Sequence, residues 1–163
     1  MKTALILLSL LFACSMFTGC EQAKPPVNPE PTSTGVPVAA TPKTPSHEGA
    51  WSATAAVMAG TPFPTEVVSS MSLKLADEEY ETAVGGAIDK GICTVDTSLS
   101  PMQMTIVGAD GPNKGKTFLA IFDFPNVDEM RVCYDMTGIA YPTVFESTAE
   151  NGLYLATYSR KSE

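Results

Sequence analysis

The sequence predicts an all-β domain, an antiparallel up-and-down barrel of about eight to ten strands with one short helix after the first strand. Three observations predict it. Between residues 49 and 163 the chain is built of short segments of strand length, rich in β-branched and aromatic residues. Clusters of turn-forming residues separate them at short intervals. Each segment reaches the next through a few residues, and only Thr61 to Ser70 is a longer crossover, whereas a sandwich needs long returns across its ends.

In chain order the predicted strands are Trp51–Met58, Met71–Ala76, Tyr80–Val84, Ile88–Val95, Met102–Val107, Thr117–Phe124, Glu129–Tyr134, Thr143–Thr148 and Leu153–Tyr158. The helix is opened by Pro64 and Thr65 and runs to Ser70, because proline presets φ for a first helical turn. Turn chemistry falls at Asp77-Glu78-Glu79, Gly85-Gly86, Ser98 to Pro101, Gly111 to Gly115, Pro125-Asn126, Thr137-Gly138 and Asn151-Gly152. Asn151-Gly152 reads as the strongest hairpin signal, since a type I′ turn needs two residues tolerant of positive φ. The candidate interior or ligand-facing residues are Met71, Leu73, Met102, Met104, Phe118, Phe122, Met130 and Tyr134. Ala53 and Ala55 leave space near Trp51, but the bulk of the facing residues predicts an interior filled by side chains.

The first twenty residues carry a different signal. Lys2 supplies a positive start and Ala4 to Phe17 an apolar run shorter than the roughly 20 residues a spanning helix needs. The run ends at Phe17-Thr18-Gly19-Cys20, which resembles the lipobox of bacterial lipoproteins, so residues 1–20 are expected to be a lipoprotein signal peptide with Cys20 acylated. Cys14 is the second candidate, and an ordinary secretory peptide the alternative. Glu21 follows the cysteine where aspartate would imply inner-membrane retention in enterobacterial lipoproteins, so the expected address is the outer membrane of the cell envelope. Residues 21–48 are proline-rich and lack aromatics, too little apolar surface to offset ordering entropy. They read as a disordered, semi-rigid tether, leaving 49–163 as the folded domain.

Gly49-Ala50-Trp51 resembles the Gly-x-Trp that opens the first strand of lipocalins, and Arg160 stands just past the last strand, where lipocalins place an arginine across the tryptophan face. Trp51 and Arg160 are therefore the candidate barrel latch, a cation–π contact between first and last strands. A spaced pattern of Trp51, Gly60, Pro64-Thr65-Glu66, Met71-Ser72-Leu73, Tyr80, Gly85-Gly86, Asp89-Lys90-Gly91, Pro101-Met102, Asp110 to Thr117 and Met130 to Tyr134 resembles the conserved hypothetical lipocalin-like domain of planctomycetes. That resemblance implies a small secreted or lipid-anchored barrel and no reaction, cofactor or ligand.

The stretch Ala109 to Thr117, ADGPNKGKT, ends like a phosphate-binding loop. The motif needs a glycine where Asp110 stands, Pro112 removes a backbone N–H from the cradle, and a β-type run follows instead of a helix. It reads as a hairpin turn, and no nucleotide is expected. The chain has a single histidine, His47, beside the tether, which excludes Ser-His-Asp chemistry and multi-histidine metal sites in the barrel. Asp77-Glu78-Glu79 and Asp128-Glu129 read as solvated turn charges, and a carboxylate pair of the glycosidase kind is a matter of spatial separation. A net charge of −8 argues against nucleic-acid binding. No cofactor, no metal and no enzymatic activity are expected.

Cys93 alternates inward with Val95, whereas Cys133 alternates outward against Met130, Val132 and Tyr134, so the reading favours two thiols over a disulfide. Two function classes follow. One is a non-catalytic structural or interaction module with a filled interior, displayed at the envelope to an unknown envelope protein. The alternative is a carrier or sensor that binds a small apolar ligand inside the barrel.

Overall fold

The structure, a computed structural model, describes residues 43–162. The expected signal peptide, Cys14, Cys20 and the expected tether up to residue 42 lie outside the described residues. The elements are β1 (Gly49–Met58), β2 (Thr61–Pro62), α1 (Thr65–Ser69), β3 (Ser72–Ala76), β4 (Glu79–Val84), β5 (Ala87–Asp96), β6 (Met102–Asp110), β7 (Thr117–Asn126), β8 (Glu129–Asp135) and β9 (Tyr154–Arg160). Each strand from β3 to β9 pairs antiparallel with its sequence neighbour, β1 pairs with β3, and β1 also pairs with β9. That last pairing closes an up-and-down barrel, with β2 a two-residue return beside β1. Closure removes the edges that an open sheet would expose.

Three of the connections are two-residue turns with positive φ at both positions: Ala59-Gly60 (46° and 77°), Asp77-Glu78 (52° and 63°) and Gly85-Gly86 (57° and 87°). This is the backbone twist that continues the right-handed twist of the flanking strands. The turn expected at Pro125-Asn126 lies two residues on, at Val127-Asp128, because β7 runs to Asn126 and the Asp128 N–H donates to Asn126 Oδ1 at 3.0 Å. The helix follows the crossover as expected. The N–H groups of Val67 and Val68 both donate to Pro64 O, and Val68 is buried.

Two expectations are corrected. Thr143–Thr148 is not a strand, and Asn151-Gly152 is not a hairpin turn. Both belong to a long connection between β8 and β9 that lies against the outside of the barrel wall. Asp135 anchors its start, accepting from the N–H groups of Thr137, Ile139 and Ala140. Asn151 Oδ1 accepts from the N–H groups of Thr148 and Leu153, so the Asn-Gly pair folds the loop on itself. The apolar residues that resembled a strand cover an outer row of the wall instead. Ile121 and Cys133 are register partners on β7 and β8, and both are almost fully buried though they point out of the barrel. Phe145 receives the Arg131 guanidinium at 4.9 Å, and the Tyr141 hydroxyl meets Thr105 Oγ1 at 2.5 Å.

A third correction concerns β1. A bulge at Thr54 shifts the register with β9, so Ala53 and Ala56 face inward and Ala55 is exposed, where simple alternation had put Ala55 inside. Trp51 ahead of the bulge is fully buried. It stacks on Phe124 at 6.4 Å, Phe122 meets Phe124 edge-on at 5.7 Å, and Met130 packs in the same core, so this end of the barrel is plugged.

Arg160 lies over the plug. Its Cζ sits 4.1 Å from the Trp51 ring centroid, and the two residues are register partners on β9 and β1. The guanidinium also donates to Glu48 O and Ser46 O, while Trp51 Nε1 donates to His47 O at 2.9 Å. Residues 46–48 are thus bound to the barrel, and the folded part begins before the boundary that composition suggests at 48. A Cβ at Gly49 would stand 2.7 Å from Arg160 Nη1, and Gly49 also has φ of 124°, which explains the glycine two residues before Trp51. Arg160→Ala is expected to cost about 0.5–2 kcal/mol, the range for a cation–π pair between exposed and desolvated. Chemical denaturation followed by Trp51 fluorescence checks it, and the single tryptophan makes the signal unambiguous.

Candidate functional site

At the opposite end the interior is hollow. A cavity of about 190 Å³ lies between the core and the rim formed by Met58, Val84 and Met136. Val84 and Met136 are more than a third exposed, so the cavity reaches the surface there. Of the predicted interior residues, Met71, Leu73, Met104, Phe118 and Tyr134 line it. Met102, Phe122 and Met130 do not line it. Phe122 and Met130 are fully buried with the plug, and Met102 packs half-buried against the same core. The expectation of a filled interior therefore holds for one half of the barrel and fails for the other.

The wall also holds residues that the sequence had not placed in the interior: Tyr80, Asp89, Asn113, Tyr154 and Tyr158. Tyr134 and Tyr154 stack at 5.2 Å, and the hydroxyls of Tyr134 and Tyr158 lie 3.4 Å apart. Tyr154 stacks on Phe63 as well, at 5.9 Å, which ties the crossover to the mouth of the barrel. Burial pushes the pKa of all three phenols up, and that of Tyr80 is raised by burial and then by its bond to Asp89, so the wall keeps neutral hydroxyls.

Asp89 is the one buried charged or polar side chain among the described residues, at 5% exposure. Its Oδ2 accepts from the Tyr80 hydroxyl at 2.7 Å and from Asn113 Nδ2 at 3.1 Å, and its Oδ1 from the Asn113 N–H at 2.9 Å. Every contact is a donor to the carboxyl oxygens, the pattern of a carboxylate acceptor. The residue faces inward because the inward residues of β5 are Asp89, Gly91 and Cys93, leaving Ile88 and Ile92 about half exposed outside. The inward reading of Cys93 carried this signal, since a period of two places Asp89 on the same face. Gly91 stands opposite Tyr80, and a Cβ there would meet the Tyr80 ring at 2.8 Å and Val107 O at 2.0 Å. Glycine therefore makes room for Tyr80 to lie across the strand and reach Asp89.

The stretch 109–117 is the connection from β6 to β7, and strand β7 begins at Thr117 where a phosphate loop would begin a helix. It folds back over β5. A Cβ on Gly111, at φ of 90°, would meet Ile88 O at 2.4 Å, and one on Gly108 would meet Asn113 O at 2.0 Å. The loop delivers Asn113 to Asp89 at the cavity wall, and Lys116 donates to Asn113 Oδ1 from outside at 3.2 Å.

Cys93 lines the cavity and Cys133 lies under the outer loop, both as free thiols. Burial pushes the Cys93 thiol up to about 12 and raises that of Cys133. Alkylation of Cys93 at pH 8 is expected to be roughly a thousand-fold slower in the folded protein than after unfolding, because so little thiolate is present. Mass spectrometry after timed iodoacetamide pulses measures it.

Elsewhere, a hollow of about 400 Å³ on the outer wall runs between Lys74, Glu81 and Lys90. Its ion pair, Lys90 Nζ to Glu81 Oε2 at 2.8 Å, is solvated on both sides and contributes little. No group of three or more His, Cys, Asp or Glu able to hold a metal occurs among the described residues. No family model, curated protein or solved structure matches the chain. The cavity is therefore the feature on which a function is argued.

Proposed function

We propose that the barrel is a non-catalytic binding module that holds one small, largely apolar molecule in the cavity at its helix-bearing end. The observation that carries this reading is the unequal filling of the interior: Trp51, Phe122 and Met130 plug one end, while about 190 Å³ stays empty at the other. A native core is packed to crystal-like density, and a void of this size forgoes dispersion contacts that Met71, Met104 and Phe118 would otherwise make. An apolar cavity of about 150 Å³ is enough for benzene, so the ligand has roughly six to ten non-hydrogen atoms and is far smaller than a fatty acid. The structural or interaction reading drew on a filled interior, which supports it less well. Acylation at Cys20 would hold the module at the envelope, and loss of labelled palmitate in Cys20→Ser is the expected result.

The test is a panel of benzene-sized probes titrated into the protein and followed by NMR chemical-shift changes. Saturable shifts at Met104 and Phe118 are expected. The filling variant Leu73→Phe, if it keeps the native Trp51 fluorescence, is expected to abolish them. Absence of saturable binding by the whole panel, or binding indifferent to filling, overturns the proposal.

A further inference from the structure

We infer that the molecule held in the cavity is a small protonated amine with a ring-sized apolar body, its ammonium directed at Asp89. This rests on the reading of the cavity as a ligand site and adds the charge of the ligand. The cavity wall carries one carboxylate, several phenol oxygens and the Thr82 hydroxyl, and no lysine, arginine or histidine lines it. A carboxylate offers about four acceptor positions, and the donors on Asp89 are the Tyr80 hydroxyl and the two Asn113 groups, which leaves one position over. All three donors are neutral, so Asp89 has no cation of its own within the barrel, a costly condition for a buried charge.

The consequences for each ligand class differ. An anion would meet the Asp89 charge with no basic residue to offset it. A neutral apolar molecule would fill the volume but leave the carboxylate uncompensated. A monocation adds charge-assisted hydrogen bonds in a poorly solvated site, where they are strongest. The rest of the wall fits a ring: Met58, Met71 and Met104 supply polarisable thioethers that pack against aromatic edges, and Phe118 adds an aromatic wall. Tyr154 has its ring engaged by Phe63 and Tyr134, and its hydroxyl is one of the phenol oxygens on this wall. A net charge of −8 favours the approach of cations over anions.

The experiment compares three molecules of one shape on the full chain: benzylamine, benzyl alcohol and benzoate, by isothermal titration and NMR. Benzylamine is expected to bind at least about tenfold more tightly than benzyl alcohol, and benzoate weakest of the three. Asp89→Asn is expected to remove that preference, bringing benzylamine down to the affinity of benzyl alcohol. Because Asp89 also holds the β6–β7 loop, Tyr154→Phe serves as a second variant and is expected to narrow the same ratio with the fold intact. Equal or tighter binding of benzyl alcohol or benzoate to the unaltered protein overturns the inference and leaves the cavity as a neutral-ligand site. If none of the three binds, the cavity reading falls with it.

Discussion

Trp51→Ala is expected to lower folding stability by about 3–5 kcal/mol, the usual cost of truncating a fully buried aromatic residue in a core that cannot collapse around the gap. Two losses combine at this position. The plug against Phe124 disappears, and Arg160 loses the ring beneath its guanidinium. Domains of this size are stable by roughly 5–15 kcal/mol, so the variant is expected to be partly unfolded at physiological temperature. Trp51→Phe should be much milder, keeping most of the buried area and losing the Nε1 bond to His47 O, for about 1–2 kcal/mol. Circular dichroism on denaturant titration is the readout, since the substitution removes the only tryptophan. A loss near 1 kcal/mol for alanine would mean that the plug repacks and that barrel closure does not depend on it.

The second large effect is expected at the cavity. Asp89→Ala leaves the Tyr80 hydroxyl, the Asn113 N–H and Asn113 Nδ2 without their acceptor, and a bond to a charged acceptor has a net worth of about 1.5–3 kcal/mol, less where several share one group. Removing a buried charge offsets part of that loss, so a net cost of about 2–4 kcal/mol is expected. The location of the damage distinguishes this site from Trp51. Amide hydrogen exchange should accelerate first in residues 111–116, whose loop Asp89 holds, while the amides of β1 and β9 keep their protection. Asp89→Asn, which retains one acceptor oxygen, should fall between the parent protein and alanine. Uniform acceleration across the barrel would show that Asp89 supports the whole fold and not a local hinge at the mouth.

Much of the fold was legible because local chemistry and tertiary pairing agree. Eight of the predicted strands coincide with β1 and β3 to β9 apart from their ends, and α1 follows Pro64 as expected. The exception, Thr143–Thr148, shows the limit. An apolar run of that length buries itself equally well in a sheet or against the outside of one, and the choice is made by Asp135 and Asn151, whose side chains satisfy the backbone of the loop. Asn151-Gly152 misled for a related reason: the pair favours positive φ, but a turn becomes a hairpin only where strands flank it on both sides. The bulge at Thr54 was equally hidden, since one extra residue on β1 has meaning only against the register of β9.

At the site, the apolar members were readable from alternation and bulk. The polar members were harder to read: the inward reading of Cys93 puts Asp89 and Gly91 on the same face, but that face leaves Ile88 and Ile92 about half exposed, against their hydropathy. A period of two specifies two faces without saying which one is enclosed.

By itself, then, the sequence determined the eight strands of the barrel wall, the antiparallel succession, the position of the helix and the residues at the two ends of the latch, all properties set within a few residues of one another or by residue type. Tertiary structure alone decided which half of the interior is filled, that Asp89 and Asn113 meet at the cavity wall, and that Cys133 is covered from outside. These depend on contacts between segments far apart in the chain, and side-chain volumes summed over facing strands have no local signature. A void is a difference between the space that closure of the backbone creates and the atoms available to fill it, and only the closed barrel supplies the first of those quantities.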